Sequence, residues 1–600
     1  MTRWLKRQRA RLHTLGRPPL HVVFHDAYRL PLTSIEARTG LGPRRSEFAL
    51  WQLRAVGAIG HQHEAPRISP RKLLLVHSGA LVESLGDPEV LAGVFGVEAW
   101  DVAVDAVLTS ILHSVGGTLY AARLALRDDG PVLNLQGGFH HAAPTVAAGF
   151  CPVNDMAVAV QVLWLDNPDL RVNILDLDAH PPDGTAACLG DDPRVRIGSL
   201  SGSDWGPVNA DETVLPEGTG DEAYLTALDA LLDRMPDADL WFVIAGGDVI
   251  AEDPVGMLGM TEDGALRRDV RVARHIKGLP QVWLPGGGYL RDAWRRLAHT
   301  GLALAFHKPR CLAQSIDPLS LRYADISAGL GPDVLSGEDE PWLTEEDLGF
   351  WPPPPAARYL NTYTPGGVLL ALARFGLLQH VHTLGYHSCE VTFDQVSAGE
   401  RLRVTALAEP TGDTRHMVME QVLERTTLGA LGLSLPDETE DAVVLFVHWL
   451  TLRHPLAAFR AGRPPLPGQD VPGLGIAREA SELLRRTAAR VGAVALVMRP
   501  SWLHVAYAAR EMLRFADPVV EARFRALVRD LGERSLSEAT HLAADGAVRL
   551  NGQPWPWDPA FMAAWSDPKR VWSDDDDRII AETMKASAFT FDAPAGSKAT

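Results

Sequence analysis

The sequence predicts an α/β fold in which helices cover both faces of a parallel sheet, giving three layers, followed by a smaller α+β domain. Two observations carry this prediction. In residues 19–333, short apolar runs alternate with longer stretches of helical character, a pattern typical of strands joined by crossover helices. After residue 357, apolar and polar residues alternate before helical segments resume, which indicates antiparallel strands with one solvated face.

The length of the chain predicts two domains, because 600 residues exceed what one hydrophobic core supports. We place a basic leader at 1–18, the first domain at 19–333 and the second at 358–600. Residues 334–357 are acidic and then rich in proline, ending near the run Pro352–Pro355. They are interpreted as a semi-rigid linker.

The composition favours a globular protein that does not bind nucleic acid. Hydrophobic residues make up 46%, charged residues 22%, and the formal net charge is −18, so a surface that tracks phosphates is not expected, whereas a cationic substrate would be attracted. The sequence has no membrane-spanning run of about 18 apolar residues and no signal-peptide core. We expect a soluble, cytoplasmic protein without a membrane partner; the sequence does not indicate its oligomeric state.

The cysteine pattern indicates a reducing compartment. Four cysteines are scattered along the chain without a Cys-x-x-Cys pair: Cys151, Cys188, Cys311 and Cys389. This spacing predicts neither a disulfide framework nor a thiolate zinc site. Cys151 is interpreted as a small buried residue.

Predicted strands and helices follow from the apolar runs. In the first domain the strands are His21–His25, Lys72–His77, Val132–Leu135, Val172–Leu175, Trp241–Ala245 and Gln281–Leu284. The helices between them are Trp100–Leu126, Asn154–Trp164, Asp221–Arg234 and Asp269–Ile276. In the second domain the strands are Glu390–Phe393, Arg401–Leu407, Met417–Leu428 and Val443–Leu452, followed by a helix at 476–491.

Four predicted strands of the first domain end in residues that can carry chemistry. They run into Gln136–His141, Asp176–Gly184, Gly246–Asp248 and Pro285–Tyr289. Ligands of parallel sheets bind outside the carboxyl ends of the strands. We therefore expect these four segments to meet at one edge of the sheet and to form a site there.

The segment Asp176–Gly184 indicates a metal. Asp176, Asp178 and His180 stand at alternate positions, so an extended chain directs them to one face. Carboxylate oxygen and neutral imidazole nitrogen are ordinary zinc ligands. The alternative is a surface turn rich in Asp, Pro and Gly, and this segment alone leaves both interpretations open.

The combined motifs resemble the histone deacetylase superfamily, which includes acetylpolyamine amidohydrolases and acetoin-utilisation proteins. The resemblance covers residues 20–320 and rests on motifs in the family's order: Gly137–Ala142, Ala148–Asp155, Asp176–Gly184, Gly246–Pro254 and Gly286–Tyr289. It implies a sheet of the arginase/deacetylase type. It also implies a deacylase that hydrolyses an N-acyl amide, with acyl-lysine or an acylated polyamine as the substrate.

The resemblance implies a role for each matching residue. Asp178, His180 and Asp248 would hold one Zn²⁺ per active site, and a structural K⁺ is left open. His140 and His141 would act as general base and acid, with Asp176 and Asp183 orienting them, and Tyr289 would stabilise the oxyanion. The substrate-binding residues implied are Gly149, Phe150, Gly287 and Gly288.

Each assignment has a structural alternative. The two histidines are also compatible with a core or a turn, Asp248 with the cap of the next helix, and Tyr289 and Phe150 with packing. Asp253 is interpreted as a residue that organises its loop. The arginase type of site, with two manganese ions, is excluded because Pro182 and Ile250 stand where further carboxylates are required.

The chain departs from the family pattern at two places. Pro181 and Pro182 replace the usual His-Gly after the histidine ligand, which removes two backbone donors. The segment 199–218 is shorter than in histone-directed enzymes, and Trp205 is the candidate for an aromatic wall there. The prolines motivate a first alternative function, a non-catalytic protein that binds an acyl ligand on a deacetylase scaffold.

The second domain offers another alternative, an acyltransferase-like partner for the first. The loop Leu466–Ile476 precedes a helix, and a strand at Ala493–Met498 and a helix containing Tyr507 follow. This order loosely resembles the coenzyme A-binding half of a GNAT acetyltransferase. Asp470 stands where that family has Gln or Arg, and its charge would repel a pyrophosphate.

Overall fold

The computed structural model of the chain describes residues 20–32, 35–128, 130–290, 292–307, 318–336, 358–410, 412–459, 464–510, 512–532, 534–567 and 572–592. The chain divides into two compact units, Met1–Leu321 and Arg322–Thr600. The predicted leader, residues 337–357 of the predicted linker, and Cys311 lie outside the described residues.

The first unit is built on an eight-stranded sheet with the order β2-β1-β3-β8-β7-β4-β5-β6. Its strands are β1 (His21–Phe24), β2 (His61–Glu64), β3 (Pro131–Asn134), β4 (Val172–Asp176), β5 (Val195–Ser201), β6 (Asp211–Val214), β7 (Leu240–Ile244) and β8 (Gln281–Leu284). Every pairing in this sheet is parallel. The predicted parallel sheet is confirmed.

Helices connect these strands. They are α1 (Ile35–Thr39), α2 (Arg45–Ala55), α3 (Gly79–Ser84), α4 (Pro88–Phe95), α5 (Val104–Asp128), α6 (Asp155–Asp166), α7 (Asp183–Leu189), α8 (Asp221–Leu232), α9 (Glu262–His275) and α10 (Trp294–Phe306). Short 3₁₀ turns occupy Asp26–Tyr28, Pro70–Leu75 and Ala99–Asp101. Asn154 and Thr261 cap α6 and α9 through hydrogen bonds from their first turns.

The core explains why the middle of the sheet was predictable. All residues of β3, β4, β7 and β8 are buried, as expected for parallel strands covered on both faces. Residues of α5 and α6 form one apolar cluster with these strands. The four central strands, whose ends carry the motifs, are therefore fixed within the core.

One strand prediction is wrong. The run Lys72–His77 does not enter the sheet, because Pro70–Leu75 forms a 3₁₀ turn with Pro70 in its first positions. Leu74 and Leu75 are 52% and 41% exposed, so the apolar run is not a buried strand. Conversely, the strands β2, β5 and β6 were not predicted. The edge strand β2 is mostly exposed and β6 is only partly buried, and both are polar in sequence.

The second unit contains a seven-stranded sheet with the order β14-β17-β13-β12-β11-β10-β9 and a three-stranded sheet with the order β16-β15-β18. Its strands are β9 (His387–Val396), β10 (Gly399–Leu407), β11 (Arg415–Thr427), β12 (Val443–Leu452), β13 (Ala495–Met498), β14 (Arg514–Phe515), β15 (Val548–Leu550), β16 (Gln553–Pro554), β17 (Met562–Trp565) and β18 (Phe589–Phe591). Among the pairings of described strands in the larger sheet, only β12 with β13 is parallel.

The helices of the second half are α11 (Pro318–Ala328), α12 (Pro332–Ser336), α13 (Pro365–Arg374), α14 (Leu377–Thr383), α15 (Leu428–Leu431), α16 (Ala477–Arg490), α17 (Leu503–Ala509), α18 (Pro518–Arg529), α19 (Leu536–Ala544) and α20 (Asp574–Ala586). The helix α11 begins before the boundary between the units and ends after it. The unit has the predicted mixture of sheet and helices. Over the described ranges, no helix is both long and apolar enough to span a membrane.

Candidate active site

The carboxyl ends of four adjacent strands form the site. In the order β3-β8-β7-β4, these strands lie side by side in the sheet. Because all four are parallel, the segments that follow them meet at one edge. The predicted metal residues, the His140–His141 pair, Phe150 and Tyr289 are brought together there, as ring and ligand-atom distances show.

Asp178, His180 and Asp248 offer three ligand atoms that lie within 4.8 Å of one another. The Nδ1 atom of His180 is 3.0 Å from an Asp178 oxygen and 3.1 Å from an Asp248 oxygen. All three side chains are buried. Among the described residues, this is the one group of three or more such side chains close enough to hold a metal ion.

Backbone donors fix the other oxygen of each carboxylate. The amide of Gly287 donates to Oδ2 of Asp178 at 2.6 Å, and the amide of Ala179 donates to Oδ1 of Asp248 at 3.1 Å. The remaining oxygens are therefore directed toward Nδ1 of His180. Such outer hydrogen bonds orient metal ligands.

The charges of the three groups are strongly coupled. Burial raises the pKa of the Asp248 carboxyl, and neighbouring Asp178 raises it further, to about 7. Burial also opposes ionisation of Asp178, but His140 and His180 outweigh it and hold this pKa below its usual range. Burial lowers the pKa of His180, yet hydrogen bonds to Asp178 and Asp248 raise it to about 11.

This donor set fits a divalent metal. Two carboxylates and one imidazole that share a buried space are stabilised by a cation that accepts a lone pair from each. Three protein ligands leave a coordination position for substrate or water, as catalytic zinc sites require. Asp178, His180 and Asp248 are the residues that would hold the ion.

Two His–Asp pairs stand beside the metal residues. The Nδ1 atom of His140 is 2.9 Å from Asp176, and that of His141 is 2.7 Å from Asp183. The two imidazole rings lie 3.9 Å apart, centroid to centroid. With Nδ1 engaged in each pair, Nε2 is the atom of each ring that remains for proton transfer.

The surroundings shift the pKa values of the two histidines in opposite directions. Burial lowers the pKa of His140, but Asp176 and Asp178 raise it to about 9. Burial and the charge of His140 lower the pKa of His141, against the opposing effect of Asp183. His141 is therefore neutral near pH 7 and can accept a proton.

The glycine-rich segment Gly286–Gly288 positions Tyr289, which follows it directly. Gly286 and Gly288 have φ of +58° and +133°, which favour glycine. A Cβ atom on Gly287 would stand 2.4 Å from an Asp248 oxygen. The Tyr289 side chain is buried, and burial raises the pKa of its hydroxyl. The phenol is therefore a proton-bearing hydrogen-bond donor.

Aromatic rings surround the metal residues. The Phe150 ring lies 5.1 Å from that of Tyr289, and the Trp205 ring lies 5.1 Å from that of His141 and 5.6 Å from that of His180. Trp205 is 54% exposed. Trp205 is therefore placed where it can form the aromatic wall that was predicted for the segment 199–218.

A cavity of about 650 Å³ adjoins the site, lined by residues that include Tyr28, Gly138, His140, Phe150 and Tyr289. Arg45 also lines it and donates to the carbonyl oxygen of Gly286 at 2.7 Å. Burial lowers the pKa of this guanidinium, which nonetheless stays cationic because arginine titrates so high. Among the described residues, no carboxylate forms an ion pair with Arg45.

Three positioning residues were not assigned from the sequence. Asp155 accepts hydrogen bonds from Thr118 and from the amides of Gly138 and Phe139, directly before the two histidines. Arg268 donates to the carbonyl oxygens of Leu177 and Gly246, at 3.0 and 2.9 Å.

The third positioning residue is Arg45, which donates to the carbonyl oxygen of Gly286. Of the three, Asp155 had a signal in the sequence: it is a carboxylate at the start of an apolar helix, where such a side chain is expected to accept hydrogen bonds from backbone amides. Neither arginine belongs to a recognisable pattern.

Two further predictions concern loops. Asp253 accepts from the amide of Tyr289 at 2.7 Å and from those of Val255 and Gly256, which agrees with a role in organising its loop. Pro182 directly precedes α7, which begins at Asp183. A residue before a helix needs no backbone donor, so the two prolines are compatible with the position of Asp183 beside His141.

Residues 41–304 match the family described as the histone deacetylase domain. This part of the chain belongs to the histone deacetylase superfamily. The deacetylase domain is 34% identical over 260 residues to histone deacetylase 2 of Arabidopsis thaliana. The aligned region makes up 40% of this chain and 66% of that protein, so the chain spans just under two thirds of its relative's length.

Two microbial proteins are also similar to the deacetylase domain. A probable deacetylase of Archaeoglobus fulgidus is 29% identical over 314 residues, or 47% of this chain and 84% of that protein. Acetylpolyamine amidohydrolase 1 of Pseudomonas aeruginosa is 32% identical over 175 residues, or 26% of this chain and 49% of that protein. The superfamily predicted from the motifs is confirmed.

Proposed function

We propose that the deacetylase domain hydrolyses an N-acyl amide, such as an acyl-lysine or an acylated polyamine, with one Zn²⁺ held by Asp178, His180 and Asp248. One observation carries the proposal: an imidazole nitrogen and two carboxylate oxygens converge within 4.8 Å, next to two His–Asp pairs. Relatives named as deacetylases and as an acetylpolyamine amidohydrolase support it.

Bound Zn²⁺ would supply Lewis acidity, polarising the amide carbonyl and lowering the pKa of water from about 15.7 toward roughly 7. Neutral His141 accepts a proton at Nε2 as the water oxygen bonds to the carbonyl carbon. The same proton then passes to the amine nitrogen as the C–N bond breaks. The products are a carboxylic acid and an amine, and the acid then transfers its proton to the amine to give a carboxylate and an ammonium ion. Asp183 keeps the His141 ring in place throughout.

His140 and Tyr289 act on charge. The His140 ring, paired with Asp176, stabilises negative charge that develops on the reacting carbonyl by donating a hydrogen bond from Nε2, and the Tyr289 hydroxyl donates a second one. Phe150 and Trp205 flank the path to the metal residues, where they contact the aliphatic chain that is attached to the amide nitrogen of the substrate. Arg45, which forms no ion pair with any carboxylate in the described ranges, offers a cation to the carboxylate product in the adjoining cavity.

The test is an amidase assay of the zinc-loaded protein on a panel of acyl-lysines and acylated polyamines. We expect turnover of at least one member. Replacing Tyr289→Phe should lower kcat by about 10²–10³-fold with little change in KM. Tyr120→Phe, a matched change outside the site, should leave kcat unchanged. Absence of turnover across the panel, or full activity of Tyr289→Phe, contradicts the proposal.

The alternative functions gain no specific support. The position of Asp183 beside His141, directly after Pro181 and Pro182, supports the catalytic proposal over the first alternative. In the second unit, Asp470 pairs with Arg453 at 2.5 Å, and Glu479 lies in the first turn of α16, a poor setting for pyrophosphate. A cytoplasmic location and a structural K⁺ stay predictions.

A further inference from the structure

The second unit has a cavity of its own, open to solvent and enclosing about 690 Å³. It lies between strands β10 and β11 of the larger sheet and helices α13 and α16. Its walls are mostly apolar and include Leu335, Val368, Leu372, Phe375, Leu402 and Leu484. A mostly apolar lining with a few polar groups is typical of sites for small molecules.

A polar pair interrupts this apolar lining. Gln421 is 6% exposed, and its amide nitrogen donates to the hydroxyl oxygen of Tyr359 at 3.2 Å. The Oε1 atom of Gln421 is buried and accepts no hydrogen bond. Within the described part of the chain, the Tyr359 hydroxyl has no acceptor for its own hydrogen. One hydroxyl cannot satisfy both ends of an amide, so the pair retains the Tyr359 O–H as a donor and Oε1 of Gln421 as an acceptor.

A buried amide oxygen without a partner destabilises the folded chain, because it has lost its hydrogen bonds to water. Both side chains line the cavity, so a ligand can remove this destabilisation. The group that does so accepts a hydrogen bond from the Tyr359 hydroxyl and donates one to Gln421. A secondary amide does both, through its carbonyl oxygen and its N–H.

A cation lines the same cavity. The Arg490 guanidinium donates to the carbonyl oxygens of Leu330 and Ser327, at 2.7 and 3.2 Å, and to the Ser327 hydroxyl at 3.2 Å. In the ranges that the structure describes, no carboxylate pairs with it. Arg486, by contrast, pairs with Glu482 at 2.8 Å. A partly buried guanidinium with spare donors and no counterion favours a carboxylate.

We propose that this cavity binds an amphipathic carboxylate of the N-acyl amino acid class. The aliphatic chain occupies the apolar part of the cavity, the amide bonds Tyr359 and Gln421, and the carboxylate pairs with Arg490. Apolar burial supplies most of the affinity, and the polar contacts give specificity. The proposal concerns binding in the second unit and does not depend on the activity of the first.

The test is isothermal titration calorimetry of the full chain with N-octanoylglycine. Two truncated probes accompany it: octanoate, which lacks the amide, and N-octanoylglycinamide, which lacks the charge. We expect N-octanoylglycine to bind at least tenfold more tightly than either. Titrations of an Asp178→Asn variant should give the same affinity, because this change affects the first unit.

Two variants of the cavity locate the binding. Gln421→Leu should weaken N-octanoylglycine at least tenfold without lowering the unfolding midpoint, because it removes an unpartnered buried oxygen. Arg490→Gln should abolish the preference for the charged probe over the neutral one. Arg578→Gln, on the surface of α20, is the matched control and should change neither value.

Three outcomes overturn the proposal. The first is no binding of N-octanoylglycine to the wild type at millimolar concentration. The second is binding that Gln421→Leu leaves intact. The third is binding that Asp178→Asn abolishes, which assigns the ligand to the metal residues of the first unit. Retained binding by a variant without amidase activity separates this proposal from that of the hydrolase.

Discussion

Gly149 lies directly against the ring of His141: a Cβ atom at position 149 would stand 2.4 Å from Cδ2 of the imidazole. The φ angle of Gly149 is +54°, in the left-handed region. The residue thus turns the chain toward Phe150 and leaves room for the His141 ring, which we propose accepts the proton. A substrate-binding role was predicted for Gly149, but the geometry gives it a second task in positioning His141.

Replacing Gly149→Ala should therefore lower kcat by about 10²-fold, since a displacement of about 1 Å at a catalytic group has this effect. Zinc content should stay unchanged because no metal residue moves. The control is Gly57→Ala, which has a similar φ of +66° but nothing within 4 Å of the added atom. Equal activity of both variants would show that His141 does not need this space.

Arg45→Met should weaken inhibition by the carboxylate product. A hydrogen bond to a charged group contributes about 1.5–3 kcal/mol, so the inhibition constant for acetate should rise at least tenfold. Arg44→Met is the neighbouring control, because Arg44 pairs with Glu47. The measurement is product inhibition in the amidase assay. Identical inhibition constants in wild type and Arg45→Met would separate Arg45 from product binding.

Asp155→Asn should destabilise the loop before the two histidines. Asp155 accepts three hydrogen bonds, from Gly138, Phe139 and Thr118, and an amide nitrogen would face these donors. We expect a loss of about 2–3 kcal/mol in the free energy of unfolding. Asp166→Asn, at the exposed end of the same helix, should cost less than about 1 kcal/mol. Urea unfolding measures both, and a similar loss for the two variants contradicts the assignment.

The stability of the first unit should fall in mild acid because of His21. Burial lowers the pKa of this imidazole to about 4, helped by His63 and His61 and by Arg127, against Asp128. Below its unfolded pKa of about 6.5, the unfolded state binds the proton more readily than the folded state. Stability is therefore complete above pH 6.5 and declines as the pH falls toward 4.

We expect a decline of about 1–2 kcal/mol after allowing for the partial exposure of His21. His21→Leu should reduce the difference in unfolding midpoint between pH 7.5 and pH 5. His541→Leu, an exposed change in the second unit, should leave that difference as in the wild type. An unchanged difference in His21→Leu would mean that the pH dependence arises elsewhere.

The sequence correctly predicted the central strands of the first unit, because burial determines their composition. The strand Leu240–Ile244 is a continuous apolar run and Val172–Asp176 is mostly apolar, because both are buried on both faces of the sheet. The segments that follow these strands carry Asp178, His180 and Asp248, and the sequence motifs that contain these residues made them recognisable. The edge strand His61–Glu64 is exposed and polar, so its sequence lacks the apolar pattern that identifies a strand.

Contacts between residues that are far apart in the chain could not be predicted from the sequence. Arg45 reaches Gly286 across 241 positions, and Tyr359 meets Gln421 across 62. No local pattern encodes such pairs, because they depend on how elements pack. For Lys72–His77 the apolar content was correct, but a proline at the start of the turn and solvent around Leu74 determined the conformation.

The zinc content of the purified protein after reconstitution and dialysis tests the central claim most directly. We predict one zinc ion per chain in the wild type and less than a tenth of that in His180→Ala and Asp248→Asn. Asp183→Asn should keep its zinc while losing activity, because Asp183 contacts His141 and not the metal residues. A wild type without zinc, or full zinc in both His180→Ala and Asp248→Asn, would contradict the account.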